Sequence, residues 1–479
     1  MDFARPLLKV LSDGQISRLH EAAIHILARI GVHLPHEETL RRLADAGAEA
    51  DLKTQRVRMP ADFVERCIGS AGKQFVIYGR DRSNVAKFGH GERNYNSIAG
   101  EAHWIDDETN ERRRATLQDV AAAARIGDGL DRINVVGAMA DPSDVPAAWR
   151  CVAVAAQLLR HTTKPIHFWF HDRPSAQYVL DVFTAIAGSP RQAERYPFGY
   201  AFLEPISPLR FPHNGVDLLY ETARLGLPVA VGPMAQTGMS APGTLAGTLA
   251  QEHAELLAGV CVSQIVREGT PVLYGGIPHA FDMATTQMIF AGPEQALMAV
   301  AMTQMGKRLG FPVYINVGLT DSKCVDAQAG LEAGITLAYG AAAGADIFGH
   351  FGICGVDQAT SLDMLILQHE IIEFVERMMR GIEISDETLG LDVIEQVGSG
   401  GSFVAENHTA RHFRNELWFP RLLDRRYYDA WRNSGRSRMA GRCRRLKEEI
   451  LANHEPAPLP DGVEQNLQAV LAEARRALD

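Results

Sequence analysis

The segments GLPVAVGPM (226–234), GTPVLYGGI (269–277) and GFPVYINVG (310–318) share one plan: a glycine, one residue, a proline, then a nearly unbroken apolar run. Glycine closes a helix, proline forbids its continuation, and an apolar run of this length reads as a strand covered on both faces. Five further runs fit the same reading: NYNSIAG (94–100), INVVGAM (133–139), PIHFWF (165–170), FGYAFLE (198–204) and DIFGHFG (346–352). Each of the eight is followed by a helix-like stretch, from TLQDVAAAARIGDGL (116–130) to TSLDMLILQHEIIEFVERMM (360–379). Eight strand–helix units predict a (β/α)8 barrel, an α/β fold, over residues 94–380. The rival is an open doubly wound sheet, but no G-x-G-x-x-G follows an early strand, which weakens its dinucleotide-binding version.

Outward from the barrel, residues 1–93 read as a small α+β region packed on it. Ser12 and Gln15 have capping-box spacing ahead of an amphipathic helix that ends at Gly31, and QFVIYGRD and NVAKFG read as strands. Residues 381–479 read as a helical extension. Between 411 and 445 it carries eleven arginines against three acidic residues, interleaved with Leu, Trp, Phe and Tyr. That interleaving suits side chains whose stems cover a scaffold or another subunit, more than a nucleic-acid surface. The run AHWIDDETNERRR, after the first strand, reads as a hairpin-like insertion.

The whole chain has 479 residues and a net charge of −10, from 48 basic and 58 acidic residues. This balance does not favour a nucleic-acid partner. Six scattered cysteines without a C-x-x-C pair make no disulfide framework. The stretch MDFARPLLKVLSDGQ lacks the features of a secretory leader, and no membrane span is evident, so a cytoplasmic protein is expected.

Chemistry in a barrel collects at the C-terminal ends of the strands. Strand alternation puts His167, Trp169 and His171 on one face, Tyr200, Phe202 and Glu204 on another, Tyr314 with Asn316, and Phe348 with His350. The loops HAFDMATTQ and TDSKCVDAQAG add His279, Phe281, Asp282 and Asp321. Aromatic faces with a few carboxylates suit an organic cation. Taken singly, a strand aromatic or histidine is more often core; Glu204 and Asp321 stand out because an acid at a strand end is costly to bury without a role. Cys324, His350 and Cys354 lack compact zinc spacing, so no metal is expected. GSGGSF (398–403) lacks the P-loop lysine and reads as a hinge or tight turn, and no G-x-S-x-G elbow occurs where a serine hydrolase needs one.

Several tracts together resemble the trimethylamine methyltransferase superfamily, in its corrinoid-dependent members without pyrrolysine. They are LSDGQISRLHEAAIHILARIGV, HEETLRRLADAGAEAD, YGRD, IDDETNERRRATLQDVAAAARIGDGL, TDSKCVDAQAGLE, VGSGGSF and HTARHFRNELWFPRLLDRR. The resemblance runs nearly end to end and implies a (β/α)8 barrel. It also implies methyl transfer from a quaternary amine such as glycine betaine to the Co(I) of a separate corrinoid protein. A tertiary amine, another methyl donor, or a non-catalytic barrel that binds betaines or a corrinoid protein are the alternatives. The chain has no D-x-H-x-x-G, so the cobalamin-type corrinoid is expected on a partner; self-association is expected too. On this reading His350, Glu204 and Asp321 are the candidate catalytic residues, with His350 first because it sits in a glycine-flanked GHFG run. Tyr95, Trp169, Phe202, Tyr274, Phe281, Tyr314 and Phe351 are candidate aromatic walls, and His171, His279 and Asn316, with His350, are candidates to hold a substrate carboxylate or to orient the substrate. The stretch NSIAGEAHW departs from the glycine-rich run associated with the family there.

Overall fold

The computed structural model describes residues 8–479; the first seven residues of the MDFARPLLKVLSDGQ stretch lie outside them. The eight strands are β1 (Asn94–Ser97), β2 (Val136–Gly137), β3 (Ile166–His167), β4 (Ala201–Leu203), β5 (Val229–Val231), β6 (Val272–Gly276), β7 (Val313–Ile315) and β8 (Ile347–Phe351). Strands β4, β5, β6, β7, β8 and β1 form one parallel sheet in that order, and β2 pairs with β3. Two backbone contacts close the ring. A bridge from Asn96 to Val135 joins β1 to β2, and the Ile166 N–H donates to the Phe198 carbonyl at 2.8 Å, joining β3 to the run entering β4. The strands therefore lie in chain order around a TIM barrel.

Helices α1 (Leu117–Gly129), α2 (Arg150–His161), α3 (Arg173–Ala187), α4 (His213–Thr222), α5 (Leu245–Val266), α6 (Pro293–Arg308), α7 (Ala327–Ala343) and α8 (Leu362–Met379) return the chain between strands and after the last. Thr116, Asp172, Thr244, Asp326 and Ser361 each cap the helix that follows by accepting a backbone N–H of its first turn. Each cap satisfies a donor that the helix itself leaves free, which pins the loop arriving from the strand. Helix α5 is buried along most of its length, its polar Gln251, Glu252, His253 and Glu255 included, because the helices Asp13–Arg29 and Ala61–Ser70 pack on its outer side. The capping box of Ser12 and Gln15 opens the first of these as the spacing predicts.

The N-terminal region does more than pack on the barrel. Its hairpin, Phe75–Tyr78 with Val85–Phe88, puts Phe75, Ile77, Ala86 and Phe88 against Tyr200, Ala230, Leu273, Tyr314 and Ile347. Phe88 meets Tyr200 with ring centroids 6.3 Å apart. The strict alternation of buried and half-buried positions in both strands supplies one apolar face, and that face floors the barrel interior.

The opposite, C-terminal end is roofed by two small sheets. In one, the insertion hairpin (His103–Ile105 with Arg112–Arg114) pairs with Ala359–Thr360, which pairs with Ile353–Cys354. In the other, Gln236–Thr237 and Gln287–Ile289 flank His279–Asp282. HAFDMATTQ is thus a hairpin and not an open loop. Asp282 stitches its turn by accepting from the Ala284 N–H at 2.9 Å and the Thr285 hydroxyl at 2.7 Å.

Strand β8 breaks the expected alternation. Phe348 stacks outward on Tyr95, whereas His350 packs on Tyr314 and Trp169, so the two do not share a face. The register of β8 on β1 shifts between Phe348 and Phe351, and His350 has a left-handed φ of +74°. A bulge with a left-handed residue re-aims the side chain.

The C-terminal extension is helical as expected, and its helices Met439–Asn453 and Val463–Leu478 lie along α8 and α3. Its basic side chains are engaged locally: Lys447 pairs with Asp107 at 2.8 Å and Asp363 at 3.0 Å, Arg432 with Asp429 at 3.1 Å, and Arg411 with Glu387 at 3.2 Å. GSGGSF is a turn following the helix Leu391–Val397. Among the described residues, no helix is long and apolar enough to cross a membrane.

Candidate active site at the barrel mouth

With the floor closed by the hairpin, the barrel opens only toward the strand ends beneath the roof. Six rings converge there. His167 lies 4.9 Å from Tyr200 and 5.4 Å from Trp169; Trp169 lies 5.5 Å from Phe202 and 6.3 Å from His350; Tyr314 lies 6.0 Å from Phe202 and 5.7 Å from His350, all between centroids. Alternation along β3, β4 and β7 places their members, as the sequence predicts. The bulge adds His350.

Polar atoms at this place have no partner. Both nitrogens of His350 and of His279, the hydroxyls of Tyr200 and Tyr314, Nε2 of His167, and the amide oxygens and nitrogens of Asn316 are buried without a hydrogen bond. Asn96 bonds His167 Nδ1 at 2.9 Å through its amide nitrogen and leaves its oxygen free. Native interiors tolerate few such atoms, and a cluster of them marks a place built for something else. Burial holds the histidines neutral: it pulls His167 down to about 3, His279 to about 4, and, with His167 and His279 nearby, His350 well below its ordinary value.

Three carboxylates edge the same opening. Glu204 follows β4, Glu101 follows β1, and Asp357 sits in the hairpin after β8. Glu101 and Asp357 are half-buried, and Glu204 is exposed on the wall of a cavity. Burial raises all three. Glu101 is pushed up to about 9 by burial and by the charges of Asp357, Glu204 and Asp141, and Asp357 to about 7 by burial and Glu204. A cavity of about 600 Å³ opens beside Glu204, walled also by Trp169, Phe202, Met234, Gln236 and Met239. That size suits a small organic ligand.

The sequence-predicted residues divide accordingly. His350, Glu204, Trp169, Phe202 and Tyr314 converge at the mouth, Asn316 is buried on β7's run, and His171 stands at the rim of the cavity. Tyr95, Tyr274 and Phe351 face outward and are corrected. The Tyr95 hydroxyl donates to Glu376 on α8, Tyr274 bonds His253 Nδ1 on α5 at 2.7 Å, and Phe351 packs on Tyr95 at 5.9 Å. Their strands are covered by helices, so half of the aromatics must serve the outer core. Asp321 accepts from the backbone of Phe290 at 3.1 Å and Ala291 at 3.4 Å, which commits its carboxylate to anchoring a loop. His279 stacks on Phe290 at 4.8 Å, and Phe281 lies half-buried in the roof hairpin opposite Met288.

The sequence does not single out Glu101, Asp357 or Asn96, and it places His167 and Tyr200 on the correct strand faces without making them candidates. Acids in the loops after the first and last strands were a usable signal for the first two, but their meeting depends on the roof sheet, where the segments 103–105 and 359–360 pair. A second cavity, about 850 Å³, lies at the strand-start end among Arg93, Tyr95, Arg132, Glu376, Arg380 and Trp418. Its charges are already spent on each other, Arg93 on Glu376 at 2.5 Å and Arg132 on Glu373 at 2.7 Å. Cys324, His350 and Cys354 do not gather around a point. Among the described residues the ligand-type group is Glu387, His408 and His412, on the C-terminal extension, with ligand atoms within 4.8 Å of one another.

A family profile described as trimethylamine methyltransferase (MTTB) matches residues 3–478. The chain is 28% identical over 462 residues to the trimethylamine methyltransferase MttB of Desulfitobacterium hafniense strain DSM 10664 / DCB-2, covering 96% of this chain and 93% of that protein. It is 29% identical over 470 residues to the glycine betaine methyltransferase of Desulfitobacterium hafniense strain Y51, covering 98% and 97%. In structure it resembles the monomethylamine methyltransferase MtmB of Methanosarcina barkeri with a TM-score of 0.51 at 12% identity, over 99% of this chain and 90% of that one.

Proposed function

This chain belongs to the trimethylamine methyltransferase family and is a methyltransferase; from that premise we propose that it removes a methyl group from a quaternary amine, the class that includes glycine betaine, and delivers it to the Co(I) of a corrinoid carried by a separate protein. The observation that carries this reading is the aromatic, acid-edged mouth whose buried polar atoms lack partners.

A quaternary nitrogen needs no activation by a proton. When the C–N bond breaks, its electron pair stays on nitrogen and a neutral tertiary amine departs. The corrinoid supplies the electron pair that forms the new bond to carbon. The protein's share is to bind the cation, aim one methyl outward and keep water away. Trp169, Phe202 and Tyr314 offer ring faces to the ammonium, each worth about 0.5–2 kcal/mol. Glu204 adds a carboxylate at the wall. His350, Tyr314 and Asn316, fixed by packing and neutral, offer hydrogen bonds to the rest of the molecule. A cavity of about 600 Å³ takes a small amine; a corrin macrocycle has to stay at its rim, which fits delivery by a docked partner.

A transfer from a tertiary amine is the second reading. One observation favours it: Glu101 keeps a proton up to about pH 9 and is a proton source for a leaving amine. The test is to mix the purified chain with a reduced corrinoid protein and an amine panel, and to follow the absorbance of the reduced corrinoid. Loss of that absorbance with quaternary amines supports the first reading; loss with tertiary amines alone supports the second; none with any methyl donor removes both.

A further inference from the structure

The charge at the mouth has one sign. Glu204 stands near Glu101 and Asp357, and among the described residues no lysine or arginine lines the cavity that Glu204 walls. The nearby basic groups are committed elsewhere. Arg150 pairs with Asp141 at 2.7 Å, His171 lies 3.9 Å from the same carboxylate, and the Lys323 ammonium donates to the Asp321 carbonyl at 2.8 Å. His167, His279 and His350 are buried with no acidic partner, and an imidazole so placed stays neutral.

A second observation shows that a ligand is expected here. Tyr314 is fully buried, its hydroxyl has no partner, and it lies within reach of the charges of Asp357 and Glu204. His350 and Asn316, also buried and unpartnered, stand with it. These groups are neutral donors and acceptors. They can hydrogen-bond a hydroxyl or ether, and among the described residues no arginine lines the cavity to balance the charge of a carboxylate.

We infer that the substrate at this mouth is an amine with a net positive charge and no carboxylate of its own, a quaternary ammonium whose remaining arm is neutral, as in choline or tetramethylammonium, rather than a zwitterionic betaine. The inference rests on the mouth being the amine site of the proposed methyl transfer. Glu204 and Asp357 select for it in two ways. They attract the ammonium, and they repel a carboxylate, which would bring a further like charge beside them; Glu101, which holds its proton up to about pH 9, takes no part in this. Trp169, Phe202 and Tyr314 accept any quaternary head alike, so discrimination falls to the acids.

The test is calorimetric titration of the full chain at pH 8 with choline, tetramethylammonium and glycine betaine. Choline and glycine betaine differ only in a hydroxymethyl group against a carboxylate. Choline is expected to bind at least about tenfold more tightly than glycine betaine, and tetramethylammonium also more tightly than the betaine. Asp357→Asn and Glu204→Gln are expected to weaken choline while leaving or improving the betaine, bringing the ratio to about threefold or less. Equal or tighter binding of glycine betaine, or no binding of choline, overturns the inference, and the wild-type comparison decides it even where a variant fails to fold. The underlying reading fails separately. Choline that binds but gives up no methyl group to a reduced corrinoid protein removes the methyl transfer and leaves the charge selection standing. Faster turnover of the betaine does the reverse.

Discussion

The Tyr314 ring on β7 and the His350 ring on β8 meet at a centroid distance of 5.7 Å and 62° between planes, with the phenol oxygen and both imidazole nitrogens unpartnered. Two neighbouring strands thereby present three idle polar atoms to the same opening. Gly349 makes the approach possible, since a Cβ there would lie 2.1 Å from the Tyr314 hydroxyl. His350 takes up a left-handed backbone at φ +74° to complete it.

Replacing His350 tests whether this arrangement exists for stability or for reaction. His350→Ala is expected to lower methyl transfer by about two orders of magnitude while the far-ultraviolet circular dichroism stays native, because a buried group without partners contributes little to stability. His350→Gly is expected to be about 1 kcal/mol more stable than His350→Ala in urea melts, since glycine adopts positive φ freely, and equally inactive. Wild-type turnover in either variant removes the assignment.

Glu101 contributes to the pH dependence of stability. Its folded value, about 9, lies above the ordinary carboxyl value of 4.5, so the folded chain holds a proton that the unfolded chain releases between those limits. Its contribution is fully present below about pH 4.5 and is lost progressively as pH rises toward 9. The melting temperature of the ligand-free protein is expected to fall from pH 6 to pH 8.5, and Glu101→Gln is expected to flatten the slope. A cationic amine present in the melt should restore more at the upper end.

Trp169 is placed to test the aromatic wall. Its indole nitrogen is held by the Gly100 carbonyl at 2.9 Å, leaving the ring for its neighbours Phe202 and His350. Trp169→Ala is expected to raise KM for a quaternary amine by about tenfold, the upper part of one cation–π contact, and Trp169→Phe by less. Steady-state kinetics with a corrinoid protein separates these from an effect on kcat.

The floor of the barrel offers a structural counterpart. Phe88 is fully buried under Tyr200, and Phe88→Ala is expected to cost about 3–5 kcal/mol, measured by urea denaturation. By contrast Tyr95→Phe, which removes the hydroxyl bonded to Glu376, should cost about 1 kcal/mol and leave KM unchanged. A changed KM in Tyr95→Phe would return that residue to the site.

Much of the architecture was legible because it rests on local signals. The Gly-x-Pro starts, the apolar runs and the capping pair Ser12–Gln15 each act within a few residues, and they place the strands, the helices and the (β/α)8 order. Strand alternation also carried His167 with Trp169, and Tyr200 with Phe202, to the correct side. It failed at β8 because a bulge is invisible to a period of two. It also could not tell Tyr95 or Tyr274 from Tyr314: a barrel strand is covered on its outer face as fully as on its inner one.

The chain by itself determined the barrel, its helical coat and the side of it on which chemistry belongs, since each follows from short-range propensity and periodicity. Only the tertiary structure decided which end stays open and what meets there. The hairpin at 75–88 becomes a floor by filling the barrel's interior, and Glu101 and Asp357 face one opening because segments 103–105 and 359–360 pair across more than half the sequence. Contacts of that range come from packing and strand pairing between segments that carry no local signal of one another.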